Sequence, residues 1–393
     1  MQTSFPARRS TLNRLRLSWG VFALCSLAFL AGGFFILSAG WSQDYAARWL
    51  ILPIPAVAYL LFVLARNLDA NHRPSEERLL ASLGWGNSLT LSRGLFVAGL
   101  LGFLVLPKPP GWLVWIPGIL YVLSDVADFL DGYLARLTNH TTRLGEILDM
   151  SFDGIGVLAA VLLGVKYGQI PAWYVLIGFS RYLFIGGQWL RERLGKPIYG
   201  LPSSLRRRGF AGVMMGFLAA ALLPVFSPPG LHIAAALFGL PLLIGFGWDW
   251  LIASGVIQPD NRSSTLKNAM FTRWLLPAVR LAILALNLII LFQWFGQLSG
   301  LNPTPSGLVI LNMLVVAAIV LGFAPRVIAI LGLCFLGLFQ TYASLTTMQI
   351  TLAGAYTVIL FLGSGPYSLW TPEESLISQR AGERRNQQIE AAS

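Results

Sequence analysis

Charged residues are scarce: they make up 11% of the 393 residues, against about 25% in an ordinary soluble domain. A water-soluble globule of this length is thereby excluded. Cysteine is almost missing too. Cys25 and Cys334 lie in apolar runs at opposite ends of the chain, which argues against a disulfide framework and a thiolate metal site. Three histidines give little support to imidazole-based metal chemistry. No segment has the pattern of a nucleic-acid reader, so the net charge of +11 needs another origin.

What is present in excess is apolar sequence. Hydrophobic residues reach 55% and the mean hydropathy is +0.67. They fall in runs of the length a bilayer requires, roughly 20 residues per helix. Twelve such runs lie near 17–39, 47–65, 88–106, 112–135, 145–167, 171–190, 209–226, 232–254, 275–296, 307–324, 327–345 and 350–367. The fold class is an all-α, polytopic transmembrane bundle of about twelve spans. The first run follows Arg8, Arg9, Arg14 and Arg16 and is too long for the apolar part of a cleaved signal. Although Ser38-Ala39-Gly40 has the look of a cleavage site, the run reads as a first anchor.

The charge then explains itself. With the N-terminus inside, Arg48, Lys108 and Lys166 fall outside, and Arg93, Arg181 and Arg280 fall within spans. Every other Lys and Arg lies in an inside segment. A miscounted span would invert each later loop and spoil this asymmetry. An even number of spans with both termini inside follows.

Two polar stretches divide the chain. Pro74-Ser75-Glu76-Glu77 reads as a helix start, placing Arg78-Leu79-Leu80-Ala81-Ser82-Leu83 along the membrane surface. The second stretch, Gln258-Pro259-Asp260-Asn261-Arg262-Ser263-Ser264, is the best internal boundary. The expected organisation is a two-span extension over 1–74, a core over 75–255, and a four-span unit with a tail over 256–393.

The chemistry is concentrated between Asp128 and Asp153. Asp128 and Asp131 are three apart, and Asp149 and Asp153 four apart, so each pair shares a helix face. The two helices are antiparallel and joined by the short loop 137–144. At 1.5 Å per residue both pairs lie at a similar depth, roughly 6–12 Å from the same end. Each Asp in a span costs about 2.5–3.5 kcal/mol, and four together repel one another, so a cation belongs there. The all-oxygen donor set suits Mg²⁺ or Mn²⁺, with a pair of ions sharing bridging carboxylates. Such ions hold a pyrophosphate and stabilise charge in phosphoryl displacement. Gly132, Ala135 and Gly145 beside the acids allow close approach of a helix or a flat base.

Asp128, Asp131, Gly132, Ala135, Arg136, Gly145, Asp149 and Asp153 together resemble the signature D-x2-D-G-x2-A-R-x8-G-x3-D-x3-D of the CDP-alcohol phosphotransferase family. The resemblance implies a six-helix core and a metal-dependent reaction of phospholipid biosynthesis. In it the hydroxyl of one alcohol attacks a CDP-linked alcohol, a phosphodiester forms and CMP leaves. It implies that Asp128, Asp131 and Asp149 bind the metal ions and that Asp153 is the general base, also touching metal. It assigns Gly132, Ala135, Arg136 and Gly145 to the CDP pocket. A second likeness is the start of the first core helix, Gly86-Asn87-Ser88-Leu89-Thr90-Leu91-Ser92-Arg93, where the family has Pro in place of Gly86. It adds Asn87, Thr90 and Arg93 to the CDP pocket; read alone, they are a helix cap and a snorkelling Arg.

Relatives hold phosphorylated acceptors with basic residues at the positions of Arg181, Arg206, Arg207 and Arg208. Arg suits phosphate through paired hydrogen bonds; Arg206 to Arg208 equally serve to keep their loop inside. CDP-diacylglycerol with a polar alcohol is the favoured pair, and CDP-choline or CDP-ethanolamine with diacylglycerol the reverse arrangement. The resemblance also implies a homodimer, and no nucleic-acid partner is expected. A prokaryotic plasma membrane with a cytoplasmic active site is the expected location. The C-terminal sequence from Leu352 to Leu369 weakly resembles DoxX-type four-helix proteins. The competing reading is a transporter using intramembrane acids, but such sites favour the bilayer midplane between repeats, whereas these acids lie near one face.

Overall fold

A computed structural model describes residues 5–74, 76–201, 205–257, 263–298, 306–339, 346–363 and 368–372. Among them are thirteen α-helices: α1 (Phe5–Gly40), α2 (Gln43–Trp49), α3 (Pro53–Arg66), α4 (Gly84–Gly102), α5 (Trp115–Leu137), α6 (Arg143–Lys166), α7 (Val175–Arg193), α8 (Leu205–Leu222), α9 (Pro228–Ala253), α10 (Ser263–Leu298), α11 (Ser306–Leu321), α12 (Pro325–Phe339) and α13 (Thr347–Leu362). The described residues contain no strand beyond isolated bridges. Seven helical segments are long and apolar enough to cross a membrane, and four shorter apolar helices accompany them. The chain is an all-α integral membrane protein. Among the described residues each of the twelve apolar runs overlaps a helix or, for the second, the pair α2 and α3.

Local sequence sets the helix ends. Pro53 and Pro228 open α3 and α9, where a missing N–H is no loss. Thr142 caps α6 by accepting from the Gly145 N–H at 3.1 Å. Thr346 and Gln349 form a capping box on α13. Lys166 ends α6 and donates from Nζ to the Leu104 and Leu106 carbonyls, both at 2.6 Å. These carbonyls lie just past α4, where orphan acceptors need donors.

The described residues divide into two compact units. One covers residues 1–183 with 215–224, and the other 184–214 with 225 onward; the division runs through α7 and α8. In the first, small residues of α4 admit the N-terminal helices. A Cβ at Gly94 would lie 2.8 Å from Leu60, and one at Gly102 2.4 Å from the Trp49 ring. The Trp49 indole donates to the Gly99 carbonyl at 2.9 Å. In the second unit Leu276, Ile283, Ile319, Ala329, Leu336 and Tyr356 build an apolar core. Within it Asn312 donates to Asn287 at 3.1 Å.

The expected surface helix at 78–83 is not there. After α3 the chain makes a hairpin-like return in which His72 and Leu79 bridge. The Asn71 amide donates to the carbonyls of Leu80 and Ser82 at 3.0 and 2.8 Å. The same segment is tied to the α5–α6 loop: the Arg143 N–H donates to His72 O at 3.0 Å and Arg73 Nε to Asn139 O at 3.2 Å. These non-local hydrogen bonds use the backbone groups that a helix would have satisfied internally. Ser75 and the boundary at 258–262 lie outside the described residues, as do 364–367.

Candidate active site

Three helices meet at the acidic segment. On α5 the three-residue spacing puts Asp128 and Asp131 on one face, and α6 brings Asp149 opposite. Each offers a carboxylate oxygen, and these atoms lie within 4.8 Å of one another. Asp128 and Asp131 are half-buried; the Asp149 side chain is 53% exposed. Three converging hard oxygen donors fit a divalent cation such as Mg²⁺ or Mn²⁺. Asp153 lies one turn further along α6, as its spacing requires; its side chain is outside the described residues.

The third helix, α4, supplies the partners of the acids. Thr90 Oγ1 donates to Asp131 Oδ2 at 2.8 Å. Arg93 is only 4% exposed and bridges two helices, pairing with Asp128 through one terminal nitrogen and with Asp149 at 2.9 Å through the other. The buried Arg93 charge needs these partners, because losing them would strand it. The spacing of three from Thr90 to Arg93 thus aligns this part of α4 with the carboxylates.

Asn87 faces the frame of the site instead. Its amide donates to Thr142 Oγ1 at 3.0 Å and to Asn71 Oδ1 at 3.3 Å. A Cβ at Gly145 would lie 2.6 Å from Asn87 Oδ1. Asn71, Asn87, Thr142 and Gly145 therefore lock the starts of α4 and α6 together. Sequence reasoning missed Asn71 and Thr142, which lie outside any repeating pattern.

The small residues allow the close approach. A Cβ at Gly86 would sit 2.7 Å from the Ala135 Cβ and 3.0 Å from the Asp131 carbonyl. Gly84, which opens α4, has φ of +79° and lies against the His140 ring, a conformation natural to glycine. Gly132 and Ala135 are half-buried and Arg136 is exposed, its guanidinium beside Gly132.

Arg181 comes from α7 and lies next to α6. A Cβ at Gly154 would be 3.4 Å from Arg181 Cδ and 2.8 Å from the Tyr182 hydroxyl. Arg181 and Tyr182 thus flank the residue that follows Asp153. Arg206, Arg207 and Arg208 begin α8, and their side chains lie outside the described residues. Asp125 was missed as well. It stands three residues before Asp128, so a same-face carboxylate was visible in the sequence although it belongs to no motif.

Residues 84–245 match the family described as CDP-alcohol phosphatidyltransferase. The chain carries a CDP-alcohol phosphatidyltransferase domain. The chain is similar to a CDP-diacylglycerol–glycerol-3-phosphate 3-phosphatidyltransferase of Cereibacter sphaeroides, with 35% identity over 113 residues, 28% of this chain and 49% of the relative. It is similar to a putative cardiolipin synthase of Mycobacterium tuberculosis, with 28% identity over 177 residues, 42% of this chain and 78% of the relative. It is also similar to choline/ethanolaminephosphotransferase 2 of Arabidopsis thaliana, with 33% identity over 112 residues, 26% of this chain and 28% of the relative. The chain spans about half the length of the first two curated relatives it matches. No solved structure matches it. Within the CDP-alcohol phosphatidyltransferase domain lie all the acids of the site, together with Thr90, Arg93 and Arg181.

Proposed function

We propose that this protein forms phospholipids: it transfers a substituted phosphate group from a CDP-linked donor, CDP-diacylglycerol in the first instance, to an alcohol hydroxyl, releasing CMP. The observation that carries this reading is the meeting of Asp128, Asp131 and Asp149 at one end of an antiparallel helix pair within the family domain. The polar acceptor and the nucleotide come from water and the donor's acyl chains from the bilayer. A site near one end of a membrane-spanning bundle serves both.

Asp128, Asp131 and Asp149 would hold Mg²⁺ or Mn²⁺ ions, a pair with Asp153 as a further ligand. Such an ion, when bound, supplies positive charge to the diphosphate and to the departing CMP oxygen. The acceptor oxygen attacks the phosphorus that carries the lipid. The bond from that phosphorus to the bridging oxygen breaks, and CMP leaves with the electron pair. Asp153 takes the acceptor's hydroxyl proton as general base. Gly132, Ala135, Arg136 and Gly145 border the nucleotide. Thr90 holds Asp131 in place, Arg93 partners Asp128 and Asp149 in the absence of an ion, and Asn87 holds the frame. Arg181 receives the phosphate of a phosphorylated acceptor. The protein acts as a homodimer in a prokaryotic plasma membrane, with this end of the bundle facing the cytoplasm.

A second reading reverses the lipid and the headgroup, using CDP-choline or CDP-ethanolamine with diacylglycerol. The likeness to the Arabidopsis relative favours it. One assay separates them. The purified protein in lipid with Mg²⁺ or Mn²⁺ is offered CDP-diacylglycerol with glycerol 3-phosphate, inositol phosphate, inositol, serine or glycerol in turn, and CDP-choline with diacylglycerol. CMP release is expected with CDP-diacylglycerol and one acceptor. Asp153→Asn is expected to lower it by at least about 100-fold, the scale of general-base catalysis. Unchanged release in that variant would remove Asp153 from the role, and release only with CDP-choline would favour the second reading.

A further inference from the structure

Asp125 has no part in the site as described so far. It lies on α5, three residues before Asp128 and six before Asp131, so the three form one acidic stripe. Twelve residues separate it from the end of α5 at Leu137, which puts it about 18 Å in from that end. A carboxylate at that depth needs a cationic partner. Asp125 makes no hydrogen bond or ion pair among the described residues. The nearest cation by helix register is Arg93, which pairs from α4 with Asp128, the next acid of the stripe.

Arg93 is itself divided. Its terminal nitrogens serve Asp128 and Asp149, while its buried Nε has no hydrogen-bond partner. One guanidinium thus pairs with two carboxylates, and Asp125 stands one helical turn beyond the first of them. Those two are also the carboxylates that a divalent ion would use. A metal ion and the guanidinium are both cations, so they compete for the same oxygens.

We propose that Asp125 is a positioning residue that takes over the Arg93 guanidinium when a divalent cation binds Asp128 and Asp149. The inference rests on the metal reading of the site given above. Asp125 is about 4.5 Å further along the helix axis than Asp128, a shift within the rotamer range of a long Arg side chain. The move keeps the buried Arg93 charge partnered throughout. Asp128 and Asp149 are released to the ion, and the like-charge contact between ion and guanidinium is relieved. Without Asp125, each ion bound would leave Arg93 either against the metal or without a counter-charge. Asp125 therefore acts on metal affinity only through Arg93.

The test is Mn²⁺ titration by electron paramagnetic resonance on the purified full chain. Wild type is compared with Asp125→Asn, Asp125→Glu, Arg93→Gln and the double variant Arg93→Gln/Asp125→Asn, with Asp128→Asn as the site control. Asp125→Asn is expected to weaken Mn²⁺ binding about tenfold, and in the Arg93→Gln background by less than about twofold, the non-additivity of two residues that act as one. Asp125→Glu, which keeps the charge, is expected to stay near wild type. Equal weakening by Asp125→Asn in both backgrounds would overturn the proposal, since it would mean a through-space charge effect independent of Arg93. No weakening in the wild-type background would overturn it as well. Equal loss in Asp125→Glu and Asp125→Asn would do the same by pointing to shape rather than charge. Wild type without bound Mn²⁺, or Asp128→Asn binding as wild type does, would instead overturn the metal reading and the proposal with it.

Discussion

At the scale of single residues, the acids are held by hydrogen bonds that differ in kind. Asp128 and Asp149 have a charged partner in Arg93, whereas Asp131 is oriented by the neutral Thr90 hydroxyl at 2.8 Å. A hydrogen bond to a charged group contributes about 1.5–3 kcal/mol. Removing it frees the Asp131 side chain to leave the geometry a metal ion needs. Thr90→Val is therefore expected to raise the Mn²⁺ or Mg²⁺ concentration for half-maximal CMP release about tenfold or more. Thr90→Ser, which retains the hydroxyl, should stay close to wild type. The check is CMP release against metal concentration; a Val variant indistinguishable from wild type would mean that Asp131 needs no such support.

The same residues show what could be read from the sequence. The spacing of Asp128, Asp131 and Asp149 was enough to bring them together, because helical periodicity and a short connecting loop leave few alternatives. The shared face of Thr90 and Arg93 was readable from their spacing of three, but not their pairing with the acids: from sequence they belong to the CDP pocket, or to a helix cap and a snorkelling Arg. Asn87 shares their period yet is turned to the frame by Asn71, sixteen residues before it and in no repeating register with it. Asp125 was visible as a residue, but its relation to Arg93 depends on how α4 and α5 pack. Periodicity fixes a face; it does not say which side chain on a neighbouring element has already taken a given partner.

At the scale of elements, the contact between α4 and α5 sets the site, and Gly86 governs its closeness. A Cβ there would lie 2.7 Å from the Ala135 Cβ. Overpacking of this kind costs about 1–3 kcal/mol, more than the roughly 0.5–1 kcal/mol that a helical Gly→Ala exchange ordinarily gains. Gly86→Ala should lower the Tm and weaken metal binding together, since the carboxylates ride on the same two helices. Ala135→Gly in the same chain should restore much of the loss, measured as thermal unfolding in detergent. If the double variant were no better than Gly86→Ala alone, the contact would not be the cause. The segment before α4 makes the complementary point. Pro74 to Glu77 has the local pattern of a helix start, but Asn71 captures Leu80 and Ser82 from outside that window. Local propensity loses where a buried amide can satisfy several backbone groups at once.

At the scale of the whole molecule, the basic residues and the site make one statement about direction. The loop between α5 and α6 lies beside the acids, and Arg136 and Arg143 bracket it. If the charge asymmetry orients the chain, this loop faces the cytoplasm, as does any nucleotide bound there. The opposite end of α5 is preceded by Lys108, which is exposed. In a chain freed of Cys25 and Cys334 by alanine, Lys108→Cys and Thr141→Cys place one thiol in each loop; Thr141 is exposed as well. A membrane-impermeant maleimide should label Lys108→Cys on intact cells and Thr141→Cys only after permeabilisation. Because the spans alternate, this single pair of positions tests the orientation of the helices on either side. Labelling of Thr141→Cys on intact cells would put the carboxylates on the outer face. The cytoplasmic supply of a CDP-linked donor would then no longer reach them, and the proposed reaction would fall with the topology.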